Sequence, residues 1–174
     1  SCEIRLIDDC SRDSTWERMQ ALTKNHQNIS CCKHDKNMGK GAALRTGFAV
    51  ATGEIVLIQD ADLEYDPNDY PVLLSPILSD KADVVYGSRF RAAKETRVLY
   101  FWHRVANSFL TLLSNMFTNL NLTDMETCYK FFKSEILKDI NLVSDRFGFE
   151  PEVTAKIATK KFRIFELPIS YYPR

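Results

Sequence analysis

The sequence predicts an α/β fold: a mostly parallel sheet covered by helices on both faces. Short β-branched runs alternate with helical segments along most of the chain, the pattern that parallel strands joined by helical crossovers produce. The 174 residues are 45% hydrophobic and 26% charged, the profile of an ordinary soluble domain. No repeat, low-complexity tract or long linker interrupts them, so a single domain over residues 1–174 is expected.

The elements follow in order. Glu3–Asp8 is a β-branched run that stops at polar residues, a strand opening into a loop. A helix is expected over Trp16–Lys24, a strand over Ile29–His34, a helix over Gly41–Ala51 and a strand over Glu54–Gln59. A helix begins near Tyr70-Pro71, and Ala82–Tyr86 reads as the next strand. Val98–Thr118 places Phe101, Val105, Phe109, Leu112, Leu113 and Met116 at spacings of three and four. That stripe marks one long amphipathic helix whose apolar face is expected in the core, with a membrane surface as the alternative. A strand Thr127–Phe132, helices from Ser134 and over Pro151–Ala158, and a strand Arg163–Tyr171 complete the order; Pro168 points to an edge or a bulge.

Charge and cysteine usage exclude several classes. Lys+Arg and Asp+Glu both number 23, so no basic surplus speaks for nucleic-acid binding, and an anionic ligand needs local cations. No run approaches the about 18 apolar residues of a spanning helix, and Ser1-Cys2-Glu3 lacks a signal-peptide layout. Cys2, Cys10, Cys31, Cys32 and Cys128 are odd in number and form no C-x-x-C pair, so reduced thiols acting as small hydrophobes are expected. The abrupt start and end lead to the expectation of a chain truncated at the N-terminus and at the C-terminus.

Ligands of an open parallel sheet gather at the carboxyl ends of its strands, so the loops there carry the chemistry. The third strand delivers Asp60, Asp62 and Glu64 within five residues, three hard oxygen donors of the kind that Mg²⁺ or Mn²⁺ shares with a diphosphate. An acidic turn is the plainer reading. Asn37-Met38-Gly39-Lys40-Gly41 fails the phosphate-loop pattern, with Asp35-Lys36 where its first glycine belongs and Gly41 where Ser or Thr should follow lysine. What is left is a glycine-flanked lysine at a helix start, either an anion site or a plain turn. Arg89 and Arg104 are candidates for a second anion, and Glu150-Pro151-Glu152 suits a helix N-terminus.

Taken in order, D-D-C-S-R-D-S-T, N-M-G-K-G-A-A-L-R-T-G-F, Q-D-A-D-L-E, G-S-R-F, E-T-C-Y-K and F-G-F-E-P-E resemble the family-2 glycosyltransferases of GT-A fold. The similarity covers nearly the whole chain and is greatest to the branch that makes dolichyl- and polyprenyl-phosphate sugars. It implies that Asp8 and Asp9 hold the nucleoside of a UDP- or GDP-hexose, with Lys40 beside the donor. It implies further that Asp60, Asp62 and Glu64 bind Mg²⁺ or Mn²⁺ with the donor diphosphate. Arg89 and Arg104 would meet the phosphate of a polyprenyl acceptor, and Asp60, Asp62 and Arg89 would carry the inverting transfer. The opening strand ending in P-x-Y/N-E that is normal in the family, and the C-terminal interface helices or membrane spans of some members, are expected to be missing from this stretch of sequence. Attachment to the cytoplasmic face of a membrane, through such segments or the 98–118 helix, is expected.

A phosphate acceptor is already anionic and needs guanidinium clamps and alignment more than a base. A family member acting on a sugar hydroxyl would need a carboxylate base instead, with Asp124, Glu126 or Glu152 as candidates. A non-catalytic nucleotide-sugar-binding fragment is the third reading. A haloacid-dehalogenase-type phosphatase is disfavoured by Leu63-Glu64 after the second aspartate, and a nucleotidyltransferase by Asp8-Asp9 where a Gly-rich basic loop belongs.

Overall fold

The computed structural model describes residues 2–91 and 100–172. They form two compact units, one of Ser1–Glu54 with Asn141–Phe149 and one of Ile55–Ile140 with Glu150–Arg174.

In the first unit, β1 (Ile4–Asp8) runs parallel to β2 (Ile29–Lys33), in a register that sets Asp8 opposite Lys33. The helix α1 (Thr15–Asn25) connects them and α2 (Lys40–Val50) follows. The start of β1 is tied by Glu3, whose carboxylate accepts from the Thr52 amide at 2.6 Å, the Thr52 hydroxyl and the Gly53 amide. Led by the bond to the Thr52 amide, these contacts hold the Glu3 carboxyl down to about 2.

The second unit is built on a four-stranded sheet of order β3-β5-β4-β6, comprising β3 (Ile55–Leu57), β4 (Val84–Ser88), β5 (Lys130–Lys133) and β6 (Ile164–Pro168). β4 and β6 are parallel, whereas β5 runs antiparallel to both β3 and β4. The parallel expectation thus holds for β1–β2 and β4–β6, and the inner strand β5 reverses. Val84, Val85, Tyr86, Phe131 and Phe132 are fully buried in this sheet, as are Leu73 of α3 (Tyr70–Leu78) and Val153 and Ile157 of α6 (Phe149–Thr159), and Ile77 of α3 is nearly so. β6 is an edge strand, which accommodates Pro168. β4 runs to Ser88, beyond the expected end at Tyr86, because Gly87 pairs within the sheet where a Cβ would press on Ile169 and Tyr129.

The 98–118 helix is observed as α4 (Phe101–Thr118), and Val98 and Leu99 lie outside the described residues. Its placement overturns the core expectation. Phe101, Phe109, Leu112 and Met116 are 56–69% exposed, and Trp102 and Phe117 are more so. The polar side faces the protein instead. Thr111 is buried and accepts the Met125 amide at 3.1 Å, while Asn115 donates to the Leu122 carbonyl at 2.8 Å and accepts its amide at 3.1 Å. The 122–125 loop carries backbone groups that need partners, and the polar stripe of α4 supplies them. A short α5 (Ser134–Asp139) follows β5. No helix among the described residues is long and apolar enough to cross a membrane.

Candidate active site

Asp8, Asp9 and Lys40 belong to the first unit, and Asp60, Asp62, Glu64, Arg89 and Arg104 to the second. At the end of β1 the Asp8 carboxylate is buried, accepts the Ser11 amide at 2.9 Å, and has Lys33 Nζ at 3.6 Å from Oδ2. Hydrogen bonding by Ser11, aided by the Lys33 charge, holds it below the usual carboxylate range against the cost of burial.

Both oxygens of Asp9 are engaged by the protein. Oδ1 meets His34 Nδ1 at 2.7 Å and the Met38 amide at 2.9 Å, and Oδ2 accepts the Gly39 amide at 2.6 Å. Burial pushes this carboxyl up, but the Met38 amide, His34 and the Gly39 amide outweigh it and lower it. Asp9 therefore shapes the loop that leads into α2, and His34 reaches on to Thr46 Oγ1 at 2.9 Å. No local sequence signal marked His34 or Thr46.

The glycines around Lys40 serve close packing. Gly39 has φ +100°, and a Cβ there would sit 2.5 Å from the Asp145 carbonyl oxygen; at Gly41 a Cβ would overlap the Ser144 carbonyl. The Asp145 carbonyl accepts the Ala42 amide at 3.0 Å, and Arg45 binds the Ser144 carbonyl and the Asp145 carboxylate. The start of α2, which in sequence fits either an anion site or a plain turn, gives its Ala42 amide to a protein carbonyl.

In the second unit β3 leads into the acidic loop. Asp60 is fixed on both sides of its backbone: its amide donates to Cys128 Sγ at 3.2 Å, and its carbonyl accepts from Gln59 Nε2 at 2.8 Å. Gln59 is in turn held by the phenols of Tyr70 and Tyr129, which donate to Oε1 at 2.6 and 2.7 Å. Cys128 is buried as expected, whereas Cys32 is exposed, and all five cysteines are free thiols. Asp62 Oδ1 accepts the Glu64 amide at 3.1 Å in a turn that puts Leu63 at φ 61°. Glu64, expected as the third ligand, accepts the Tyr171 phenol at 2.8 Å. Among the described residues no three His, Cys, Asp or Glu side chains gather in a metal-holding group.

Arg89, at the end of β4, is gripped by Asp124, which is fully buried. Nε and Nη2 donate to the two carboxylate oxygens at 2.7 Å each, and the Arg89 amide donates to Oδ2 at 3.0 Å. Burial opposes the guanidinium charge, but Asp124 more than offsets it and raises Arg89 above its ordinary value. Nη2 also donates to Asn107 Oδ1 on α4 at 3.0 Å. Arg104, also on α4, is exposed, and its guanidinium lies 5.6 Å from the Phe90 ring centroid, the same distance as that of Arg89. The two arginines singled out in the sequence therefore meet around one ring.

The remaining acids divide in use. Asp124 holds Arg89, and Glu152 pairs with Lys156 at 2.5 Å. Glu126 is part-buried, and burial followed by the charge of Glu150 pushes its carboxyl up.

The glycosyl transferase family 2 model matches residues 1–140. A dolichyl-phosphate beta-glucosyltransferase of Trichomonas vaginalis is 31% identical over 176 residues, covering 97% of this chain and 54% of its own length. A UDP-N-acetylglucosamine–dolichyl-phosphate N-acetylglucosaminyltransferase of Methanococcus voltae is 27% identical over 95% of this chain and 73% of its own. The dolichol-phosphate mannosyltransferase of Pyrococcus furiosus is 23% identical over 97% of this chain and 47% of its own. The chain thus spans 47–73% of these relatives. In fold it is similar to glucosyl-3-phosphoglycerate synthase from Mycobacterium tuberculosis, solved with Mn²⁺, UDP and glucosyl-3-phosphoglycerate, with a TM-score of 0.74 at 17% identity over 99% of this chain and 61% of that one. With the family model matching most of its length, the chain belongs to glycosyl transferase family 2.

Proposed function

We propose that the protein transfers a hexose, with inversion, from a nucleoside-diphosphate sugar to the phosphate of a polyprenyl lipid at a membrane surface on the cytoplasmic side. One observation carries the choice of acceptor: α4 brings Arg104 to the Phe90 ring that Arg89 also flanks, while turning an apolar face outward. Cations beside exposed hydrocarbon suit an amphiphile with a phosphate head and an apolar tail. The dolichyl-phosphate transferases among its relatives support the same class.

Asp8 would take part in holding the nucleoside, with Asp9 setting the loop that precedes Lys40. Asp60 and Asp62 would hold Mg²⁺ or Mn²⁺ together with the donor diphosphate; two carboxylates completed by phosphate oxygens are a sufficient hard-oxygen set. When bound, such an ion neutralises the charge that develops on the leaving nucleoside diphosphate. Gln59, Tyr70, Tyr129 and Cys128 fix the backbone that presents Asp60. The acceptor needs no proton removed; Arg104 and the edge of Arg89 that Asp124 leaves uncovered would align its phosphate oxygen for in-line attack. Transfer to a hydroxyl is the second reading, favoured by the raised carboxyl of Glu126 as a base.

The test incubates the intact protein with labelled UDP- and GDP-hexoses, Mn²⁺ or Mg²⁺, and either polyprenyl phosphate in liposomes or phosphate-free sugars and alcohols. Label entering the lipid phase only with polyprenyl phosphate is expected. Efficient transfer to the phosphate-free acceptors would overturn the reading.

A further inference from the structure

Three polar residues on the inner face of α4, Asn107, Thr111 and Asn115, follow one another at intervals of four, so they form one stripe along the helix. Thr111 and Asn115 bind the backbone of the 122–125 loop. Asn107 does something different. Its Oδ1 accepts from Arg89 Nη2 at 3.0 Å and its Nδ2 donates to Asp124 Oδ1 at 3.3 Å, so one amide bridges both members of the pair. The loop end of that pair is fixed from β6, where Glu166 Oε1 accepts the amides of Thr123 and Asp124 at 2.8 and 3.0 Å. Asp124 is therefore anchored by the sheet, and Asn107 links α4 to the pair.

Resting on the acceptor reading above, we infer that Asn107 is a positioning residue: it ties Arg89 to α4, so that the helix carrying Arg104 and the outward apolar face also fixes the guanidinium edge that receives the acceptor phosphate. The reasoning is geometric. Asp124 and Asn107 together engage Nε and Nη2, and Nη1 takes no part in these bonds. The guanidinium is then held from the 122–125 loop and from α4, with the Tyr171 ring centroid 5.3 Å from its carbon, and a shift of the loop or of α4 turns Nη1 relative to Arg104. An amide is suited to this place because it accepts from Arg89 with one end and donates to Asp124 with the other.

That dual use gives a test that a packing role does not mimic. Asn107→Asp keeps the shape and the acceptor but replaces the donor by a second carboxylate beside Asp124. Protonation of the carboxylate pair restores a donor, and two carboxylates in one place raise the value at which one of them takes up a proton. Among the described residues, the charged and titratable groups around the pair include Arg89 itself, Arg104 across the Phe90 ring, Glu126, Glu166, whose carboxylate accepts the Asp124 amide, and the phenols of Tyr65 and Tyr171. Measured in the intact protein with polyprenyl phosphate in liposomes, and always as a ratio to wild type at the same pH, Asn107→Asp is expected to raise the acceptor KM about tenfold near pH 8, the weight of one hydrogen bond to a charged group. The ratio should fall towards one as the pH is lowered, because a proton on either carboxylate restores the lost donor. Asn107→Leu should raise the acceptor KM at every pH, and neither variant should move the donor KM. A thermal melt of each variant controls for folding.

A pH-independent ratio for Asn107→Asp, or an equal change in donor and acceptor KM, would overturn the positioning role. If wild type does not use polyprenyl phosphate at all, the acceptor reading fails instead. If Arg104→Ala weakens acceptor use while Asn107→Asp behaves as wild type, only the positioning role fails.

Discussion

Tyr171 donates its phenol to the Glu64 carboxylate at 2.8 Å, and the next residue, Tyr172, donates its amide to the Glu64 carbonyl at the same distance. The segment after β6 thus closes onto the acidic loop and turns Glu64 toward itself. Burial and the neighbouring Glu64 raise the Tyr171 phenol, which keeps it a donor at neutral pH. Tyr171→Phe should release Glu64 as a third oxygen donor and tighten Mn²⁺ binding in the presence of UDP by up to about tenfold, the worth of one charge-assisted hydrogen bond. Titration followed by Mn²⁺ paramagnetic resonance reads this directly. Weaker binding would mean that the Tyr171–Glu64 bond shapes the loop and that Glu64 is no ligand.

Asp62→Asn is a clean probe of the same loop, because an amide oxygen can still accept the Glu64 amide and preserve the turn. The charge alone is removed. Turnover should fall by at least ~2 kcal/mol of transition-state stabilisation, with the melting temperature little changed, and chelation should abolish wild-type activity. Near-normal turnover in Asp62→Asn would remove the metal from this loop.

The two arginines demand different experiments. Arg89→Ala strands the fully buried Asp124 carboxylate and should cost about 3–5 kcal/mol of stability, which obscures any binding effect. Arg104 is exposed, and its guanidinium rests on Phe90. Arg104→Ala should therefore leave the melt unchanged while raising the KM for polyprenyl phosphate, with the donor KM fixed. A shift in the donor KM instead would move Arg104 to the donor.

How legible these features were depends on the range of the interactions that make them. The strands ending at Asp8 and leading to Asp60 were readable because β-branched runs followed by acids are local patterns. The periodicity of α4 was readable too, but a moment states which side is apolar, not which side meets water, and the partner that inverts the usual answer is the 122–125 loop. The reversal of β5 and the bridge from Asn107 to Arg89 join residues far apart in the chain. The glycines beside Lys40 fit either an anion site or a plain turn in sequence, and the close packing they serve shows only once the 144–145 carbonyls that press on them are in view.

The ion cluster at the start of β4 makes stability depend on acid. Asp83 accepts from Arg163 through Nε at 3.0 Å, Nη2 at 2.7 Å and the amide at 2.9 Å, and from Lys133 Nζ at 3.0 Å. The Arg163 side chain foremost, then its amide and Lys133, depress the carboxyl well below the usual range despite partial burial. A depressed carboxyl contributes stability that is complete above its unfolded value and is lost as pH falls through its folded one. Wild type should therefore lose stability on acidification below about pH 4, the unfolded carboxylate value. Asp83→Asn should be less stable at neutral pH and show a flatter acid limb by urea denaturation. Parallel acid limbs for the two proteins would show that Arg163 and Lys133 add nothing through Asp83.

The outward face of α4 gathers several large exposed apolar side chains. Trp102 is 75% exposed and Phe117 87%, and Phe101, Phe109, Leu112 and Met116 are exposed on the same helix. Burying a large apolar side chain is worth about 1.5–3 kcal/mol, so on the proposed reading this face would lower its free energy substantially by entering the boundary between headgroups and acyl chains. Arg104, on the same helix, would remain at headgroup level, where a lipid phosphate lies. In a Trp16→Phe background, which leaves Trp102 as the single indole, emission should shift to the blue on adding phosphatidylcholine vesicles containing anionic lipid. Phe109→Ser with Phe117→Ser should weaken co-sedimentation with those vesicles by more than about tenfold, since even part of two aromatic side chains exceeds that in transfer free energy. Activity on polyprenyl phosphate in liposomes should fall with it, while hydrolysis of the donor in the absence of lipid stays as in wild type. If the indole ignores vesicles and the protein instead dimerises with rising concentration in sedimentation velocity, the face belongs to a second copy of the chain, and the membrane assignment is wrong.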